Sequence, residues 1–370
     1  MSGAAPVAPQ GIFLAAPPGL EPVLAAEAAA AGFAGPRVLP GGVEIAGGWP
    51  EVWRANVQLR GAGRVLVRLW SFRAPHLARL DRQLRRLPWG DLFPPATAVC
   101  VAASCRRSRI WHEGAAAERL AGALAAAGMV PGRAGVRVML RIEDDLCTVS
   151  LDSSGAPLYR RGFKQAVGRA PLRETMAALF LRACDHVPGE PVVDPMCGAG
   201  SFPIEAAEIA AGLPPGRARG FAFEALVGFD PAALARLRAA DPAPPGGAII
   251  AADRDGGAIA MARANAERAG IAARIRFIER DVAALEPPEG PPGLVIVNPP
   301  YGARIGRAGA LHGLHAALGR ALIGRFAGWR VGLITAEPAL ARATGLPFGP
   351  PGPPVPHGPL TIRLYRTGPL

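Results

Sequence analysis

Leu294-Val295-Ile296-Val297-Asn298-Pro299-Pro300-Tyr301 decides how this 370-residue chain is read. The four apolar residues follow Pro291-Pro292-Gly293 and stop at Asn-Pro-Pro, the pattern of a short strand buried on both faces of a parallel sheet. In such a sheet ligands bind beyond the carboxyl ends of the strands. Each proline fixes its own φ and pushes the preceding residue to extended geometry, so Asn298 and Pro299 are held almost without freedom. Neither proline has an N–H. The Asn298 side-chain carbonyl and the Pro299 main-chain carbonyl are therefore two acceptors able to converge on one planar NH₂ group. Tyr301 adds an aromatic face on which a base can stack. Asn298, Pro299, Pro300 and Tyr301 together read as a catalytic receptor for an exocyclic amine.

Upstream, Val192-Val193-Asp194-Pro195-Met196-Cys197-Gly198-Ala199-Gly200-Ser201 precedes a helix-compatible stretch from Phe202 to Ala211. A β-branched run, an acid and Gly-x-Gly leading into a helix make a nucleotide-binding turn. Gly198 and Gly200 tolerate positive φ and let a ligand approach the backbone, and the helix start offers free N–H groups with partial positive charge. Asp194, Pro195, Met196, Cys197, Gly198 and Gly200 are the candidate cofactor residues. A second apolar run, Ala248 to Ala252, ends at Asp253, where a carboxylate accepts from a ribose diol. Asp255 competes for that role and is also placed to cap the following helix. The interval from Gly200 to Asp253 far exceeds the roughly twenty residues of the dinucleotide fingerprint, which argues against NAD and for an insertion. A third strand, around Ile275 to Ile278, leads to Asp281, a candidate partner for an adenine amino group or a solvated turn acid.

The amino-terminal half has its own pattern. Gly11 to Ala15 reads as a strand, the stretch to Ala31 as a helix, Val65 to Trp70 as a strand and Pro75 to Leu87 as a basic helical segment. A strand from Val99 then ends in Arg106, Arg107 and Arg109 with Trp111 beside them, a combination that pairs phosphates and stacks bases. A helix over Ala115 to Ala127 and strands near Val136 to Ile142 and Leu146 to Leu151 complete this part. The net charge is +12, with 17 basic against 12 acidic residues up to 155 and 24 against 17 beyond. Positive charge in both halves suits a phosphate-bearing partner. Lys164 is the single lysine among 41 basic residues. The five cysteines lack Cys-x-x-Cys spacing and read as reduced thiols. His312 and His315 lie on a helix without a completing ligand, so no metal is expected. The nearly uncharged first twenty residues carry prolines and no basic region, excluding a secretory signal or membrane span and pointing to the cytoplasm.

Asn298-Pro299-Pro300-Tyr301 resembles the motif of class I methyltransferases that use S-adenosylmethionine to methylate amino groups. Residues from about 50 to 152 resemble a THUMP RNA-binding domain preceded by a small ferredoxin-like segment. Leu158-Tyr159-Arg160-Arg161-Gly162-Phe163 and Ala170-Pro171-Leu172-Arg173-Glu174-Thr175 resemble the junction and first helix of the bacterial THUMP-bearing ribosomal RNA guanine-N2 methyltransferases, as does the ending His357-Gly358-Pro359-Leu360. The resemblance covers nearly the full chain. It implies an α/β protein: a ferredoxin-like segment at 10–50, a THUMP domain at 51–152 and a Rossmann-like methyltransferase domain at 156–370, mostly parallel with the last strand antiparallel. It implies S-adenosylmethionine as cofactor, held by Asp194, Asp253 and Asp281 beside the glycine turn, and RNA contacts from Arg106, Arg107, Arg109, Arg160 and Arg161. The implied reaction is transfer to the N2 of a guanine, in 23S ribosomal RNA or alternatively transfer RNA, with DNA-adenine and protein-glutamine methylation as rivals. Arg169, in place of a family lysine, and Ala303-Arg304, in place of an acid before a basic residue, depart from the family pattern.

Overall fold

A computed structural model of the protein describes residues 7–165, 172–301 and 308–370, leaving Arg169, Ala170, Pro171, Ala303 and Arg304 outside the described residues. The chain divides into two units. One comprises Met1–Ala16, Ala28–Leu158 and Arg219–Ala239; the other comprises Pro17–Glu27, Tyr159–Ala218 and Ala240–Leu370.

The first unit is built on strands β1 (Gly11–Ala15), β2 (Arg37–Leu39), β3 (Gly42–Ile45), β4 (Arg64–Arg73), β5 (Ala98–Arg106), β6 (Val130–Pro131), β7 (Val136–Glu143) and β8 (Leu146–Asp152). They form one sheet in the order β2-β3-β1-β4-β8-β7-β5-β6. Strand β4 pairs with β1 on one side and β8 on the other, so the sheet continues unbroken past residue 50. Helix α1 (Glu21–Ala30) follows β1 in the chain, with its residues to Glu27 falling in the second unit, and helices α2 (Trp49–Gln58), α3 (Leu77–Arg85) and α4 (Glu113–Ala126) punctuate the later strands. Strand β7 alternates buried and exposed residues, the signature of a half-covered sheet.

The second unit contains α5 (Glu174–Ala183), β9 (Val192–Asp194), α6 (Ser201–Ala210), β10 (Ile249–Asp253), α8 (Gly256–Arg268), β11 (Ile275–Glu279), β12 (Leu294–Val297), α9 (Ala308–Arg325), β13 (Arg330–Thr335), α10 (Pro338–Ala343), β14 (Val355–His357) and β15 (Leu360–Arg366). The intervening helix α7 (Pro231–Arg238) lies in the segment that clusters with the first unit. That segment accounts for the long interval between Gly200 and Asp253. Its Phe223 and Phe229 each place a ring 6.0 Å from Trp53 of α2, giving the insertion an aromatic anchor.

The strand order is β11-β10-β9-β12-β13-β15-β14. The first five are mutually parallel, and β15 runs antiparallel to both β13 and β14. All four residues of β12 are fully buried, each contributing roughly 1.5–3 kcal/mol. Val295 and Val297 join Val193, Ile250, Leu318, Leu322, Phe326, Val331 and Leu333 in one core. Among the described residues no helix is long and apolar enough to cross a membrane.

Helix α9 follows the Asn-Pro-Pro corner and is seated by close backbone contact at Gly319. A Cβ there would lie 1.7 Å from the Thr344 carbonyl oxygen. Although alanine improves helix propensity by about 1 kcal/mol, Gly319→Ala is expected to lower stability by roughly 1–3 kcal/mol through overpacking, measured by urea unfolding.

Candidate active site

The parallel register brings the four candidate polar positions to one edge. Asp194 ends β9, Asp253 ends β10, Asp281 follows β11 and Asn298 follows β12. In the order of the sheet they read Asp281, Asp253, Asp194, Asn298, on four adjacent strands. Val193 pairs with Val295 and Asp194 with Ala251, which sets the Asn-Pro-Pro corner beside the glycine turn.

The turn between β9 and α6 is held by its own acids. Met196 N donates to Asp194 Oδ1 at 3.1 Å and Gly198 N to Asp253 Oδ2 at 3.0 Å. Cys197 N donates to the Ala252 carbonyl at 2.9 Å, fastening the turn to β10. Gly198 has φ +51° and Gly200 φ +84°. A Cβ on Gly200 would meet Ala262 of α8 at 3.0 Å, whereas one on Gly198 would meet nothing within 4 Å. Gly200 is thus required for packing, and Gly198 marks the open side of the turn. Pro195 begins this turn. The Cys197 thiol is pushed up by burial and by Asp194 and Asp253, so it is no nucleophile.

Asp194 is 2 % exposed. Burial, with the charge of Asp253 added, holds its carboxyl well above the usual carboxylate range. No cation pairs with it among the described residues. A buried acid without a counter-ion at the mouth of a glycine turn suits an ammonium group arriving with a ligand. Asp253 has one oxygen on Gly198 N and the other on Asp255 N at 3.0 Å, and each retains a lone pair for a diol. Asp255 instead accepts from Gly257 N at 2.8 Å and caps α8. Asp281 is exposed and accepts from Ala283 N at 2.8 Å, the turn-acid alternative, with its second oxygen open.

At the corner, Asn298 Oδ1 and the Tyr301 hydroxyl are both buried without a hydrogen-bond partner among the described residues. Such groups cost about 1–3 kcal/mol each, and, among the described residues, the Asn298 acceptor is open to a donor. Pro299 is buried and Pro300 half-buried. The Tyr301 ring, expected as an open platform, is 5 % exposed, and burial pushes its hydroxyl up to about 12.

The arginines divide. Arg106 and Arg160 are exposed, Arg107 bonds Asp144 and Glu143 at 3.0 Å, and Arg109 lies 3.6 Å from Asp145 with its side chain largely exposed. Arg161 corrects the sequence expectation: its side chain is 2 % exposed and lies 3.5 Å from Glu205, so it is a buried ion-pair member and not an RNA contact. Asn265, missed in the sequence, is fully buried on α8 and donates to the Ala199 carbonyl at 3.0 Å; a polar residue on an apolar helix face was its only signal. Among the described residues no group of three or more His, Cys, Asp or Glu is placed to hold a metal ion.

A mostly parallel sheet with an antiparallel edge, an acid and glycine turn on the middle one of its five parallel strands and Asn-Pro-Pro-Tyr on the adjacent one defines a class I methyltransferase domain. Residues 161–346 match the RMKL-like methyltransferase domain and residues 11–66 the RlmL ferredoxin-like domain. The chain belongs to the RMKL-like methyltransferase family. It is 35% identical over 366 residues to a protein of Methylococcus capsulatus named ribosomal RNA large subunit methyltransferase K/L, covering 91% of this chain and 48% of that one. The chain thus spans about half the length of the curated relatives it matches. Among solved structures it resembles SMU.472, a putative methyltransferase complexed with SAH, at TM-score 0.86 and 25% identity over 97% of this chain and 98% of that one. It also resembles a predicted N6-adenine-specific DNA methylase from Listeria monocytogenes at TM-score 0.84 and 28% identity over the full length of both.

Because the folded Asp194 carboxyl holds its proton to higher pH than the unfolded one, the apoprotein loses stability as pH rises from the ordinary carboxylate range toward the raised value. Asp194→Asn is therefore expected to raise the apoprotein melting temperature at neutral pH by about 2–4 °C. The same change is expected to weaken S-adenosylhomocysteine binding at least about tenfold. Thermal melts and calorimetry check both.

Proposed function

We propose that this chain transfers the methyl group of S-adenosylmethionine to the exocyclic N2 of a guanine in RNA, with 23S ribosomal RNA as substrate. The observation that carries this reading is the Asn298 carbonyl, buried and without a partner among the described residues, at the end of the strand next to the glycine turn. The names of the curated relatives and the SAH in a structural neighbour support it.

The residues fit the cofactor. Asp194 receives its ammonium, Asp253 its ribose diol and Asp281 its adenine amine, while Pro195, Met196, Cys197, Gly198 and Gly200 shape the turn beneath. Bound S-adenosylmethionine supplies an activated methyl group on sulfur. Asn298 Oδ1 and the Pro299 carbonyl accept the two hydrogens of the guanine amine, drawing its lone pair onto nitrogen and aiming it. Positioning of this kind contributes about 7–11 kcal/mol. The alkylated amine is acidic enough to shed its proton afterwards, so a prior general base is unnecessary. Pro300 keeps the corner rigid, and Tyr301 receives the flipped base after the base displaces what covers the ring.

Arg106, Arg107, Arg109 and Arg160 contact RNA phosphates, and Trp111, 77% exposed, offers a stacking face. The division into 10–50, 51–152 and 156–370 remains the proposed domain plan, and ribosomal RNA places the enzyme in the cytoplasm. Transfer RNA is the nearest alternative substrate, because RNA-binding modules of the THUMP kind serve both.

Incubation with labelled cofactor and deproteinised ribosomal RNA, transfer RNA or duplex DNA, followed by nucleoside mapping, is expected to yield N2-methylguanosine from ribosomal RNA. A labelled N6-methyladenine in DNA overturns the reading. Asn298→Ala is expected to lower methyl transfer at least about 10²–10³-fold, by the scale of a lost transition-state contact. Calorimetric affinity for S-adenosylhomocysteine should meanwhile change by less than about threefold, since only a substrate contact is lost.

A further inference from the structure

Lys164, the single lysine, has a side chain only 7% exposed. Its Nζ donates to Ser201 Oγ at 2.7 Å and to the Leu172 carbonyl at 2.9 Å, and lies 3.5 Å from Glu174 Oε1. An ammonium has three donors, and three acceptors surround this one. Ser201 also donates to the Leu172 carbonyl at 3.1 Å and is the first residue of α6, directly after the left-handed Gly200. The next residue completes the brace: Gln165 N donates to Asn265 Oδ1 at 3.3 Å, and Asn265 in turn holds the Ala199 carbonyl. Ala199 and Ser201, on either side of Gly200, are thus both tied to residues 164 and 165.

Helix stability does not account for this cation. A positive charge beside a helix start opposes the macrodipole, and an ammonium is costly to bury. Glu174 faces it at 3.5 Å, while the ammonium's two closer partners, Ser201 Oγ and the Leu172 carbonyl, are neutral acceptors. What the arrangement favours is an anion above the turn, where backbone N–H groups and the ammonium act with the same sign.

We propose that Lys164 is a positioning residue for the cofactor: it sets Ser201 and the first N–H groups of α6, and adds positive potential for the carboxylate of the cofactor's amino-acid portion. This rests on Asp194 to Gly200 being the cofactor turn. Asp194 and Lys164 then receive the two opposite charges of one amino-acid group.

Calorimetry with S-adenosylhomocysteine on the full chain tests it, using Lys164→Met, Lys164→Arg and wild type. The Met variant is expected to bind about tenfold more weakly, the scale of one charge-assisted bond. The Arg variant, keeping the charge, recovers most of that loss, and the change in the Met variant falls on KM for the cofactor more than on kcat. Were the Met variant not to fold, the wild-type chain still decides the matter through acetylation of its single lysine by acetic anhydride, followed by mass spectrometry. S-adenosylhomocysteine is expected to slow that acetylation at least about threefold. A folded Met variant that binds like wild type, or an acetylation rate unchanged by the nucleoside, overturns the proposal. Wild type that fails to bind S-adenosylhomocysteine at all overturns instead the reading of the turn.

Discussion

The three buried residues of β9 pair in parallel with β10 on one side, two of them also with β12 on the other, and the site depends on that double pairing. Parallel ladders put every carboxyl end at the same edge, and the register then decides which side chains become neighbours. A slip of one residue in β12 would swap the faces of its side chains and turn Asn298 away, so the packing that buries Leu294 to Val297 on both faces also holds the corner in place. Sheet energetics and site geometry are the same set of contacts.

Against that rigid background the polar groups are left under-satisfied. Among the described residues Asp194 is buried without a cation, and Asn298 Oδ1 and the Tyr301 hydroxyl are buried without hydrogen-bond partners. Each costs folding free energy that a ligand returns on binding. By contrast, two polar side chains that hold the architecture are hydrogen-bonded within the chain: Asp255 caps α8, and Asn265 fastens the glycine turn.

Much of this was legible in the chain. Apolar runs ended by acids or Asn-Pro-Pro marked four strand ends, because a buried parallel strand needs continuous hydrophobicity and a stop. The overlong interval before Asp253 announced an insertion. Arg160 and Arg161 were indistinguishable in sequence: they lie outside regular structure, where no periodicity assigns a side chain to solvent or core. Lys164 and Asn265 carried no motif, since their partners lie far away along the chain.

The amino-acid sequence by itself determined the strands, the left-handed glycines, the donor-poor corner and the amine chemistry it suits, because these follow from local sterics and from which atoms each residue carries. Only the tertiary structure decided that Asp281, Asp253, Asp194 and Asn298 stand on four adjacent strands, that Asp255 is a cap and Arg161 is buried, and that a lone lysine braces the turn. Those outcomes depend on strand order, register and desolvation, which arise from contacts between residues distant in sequence.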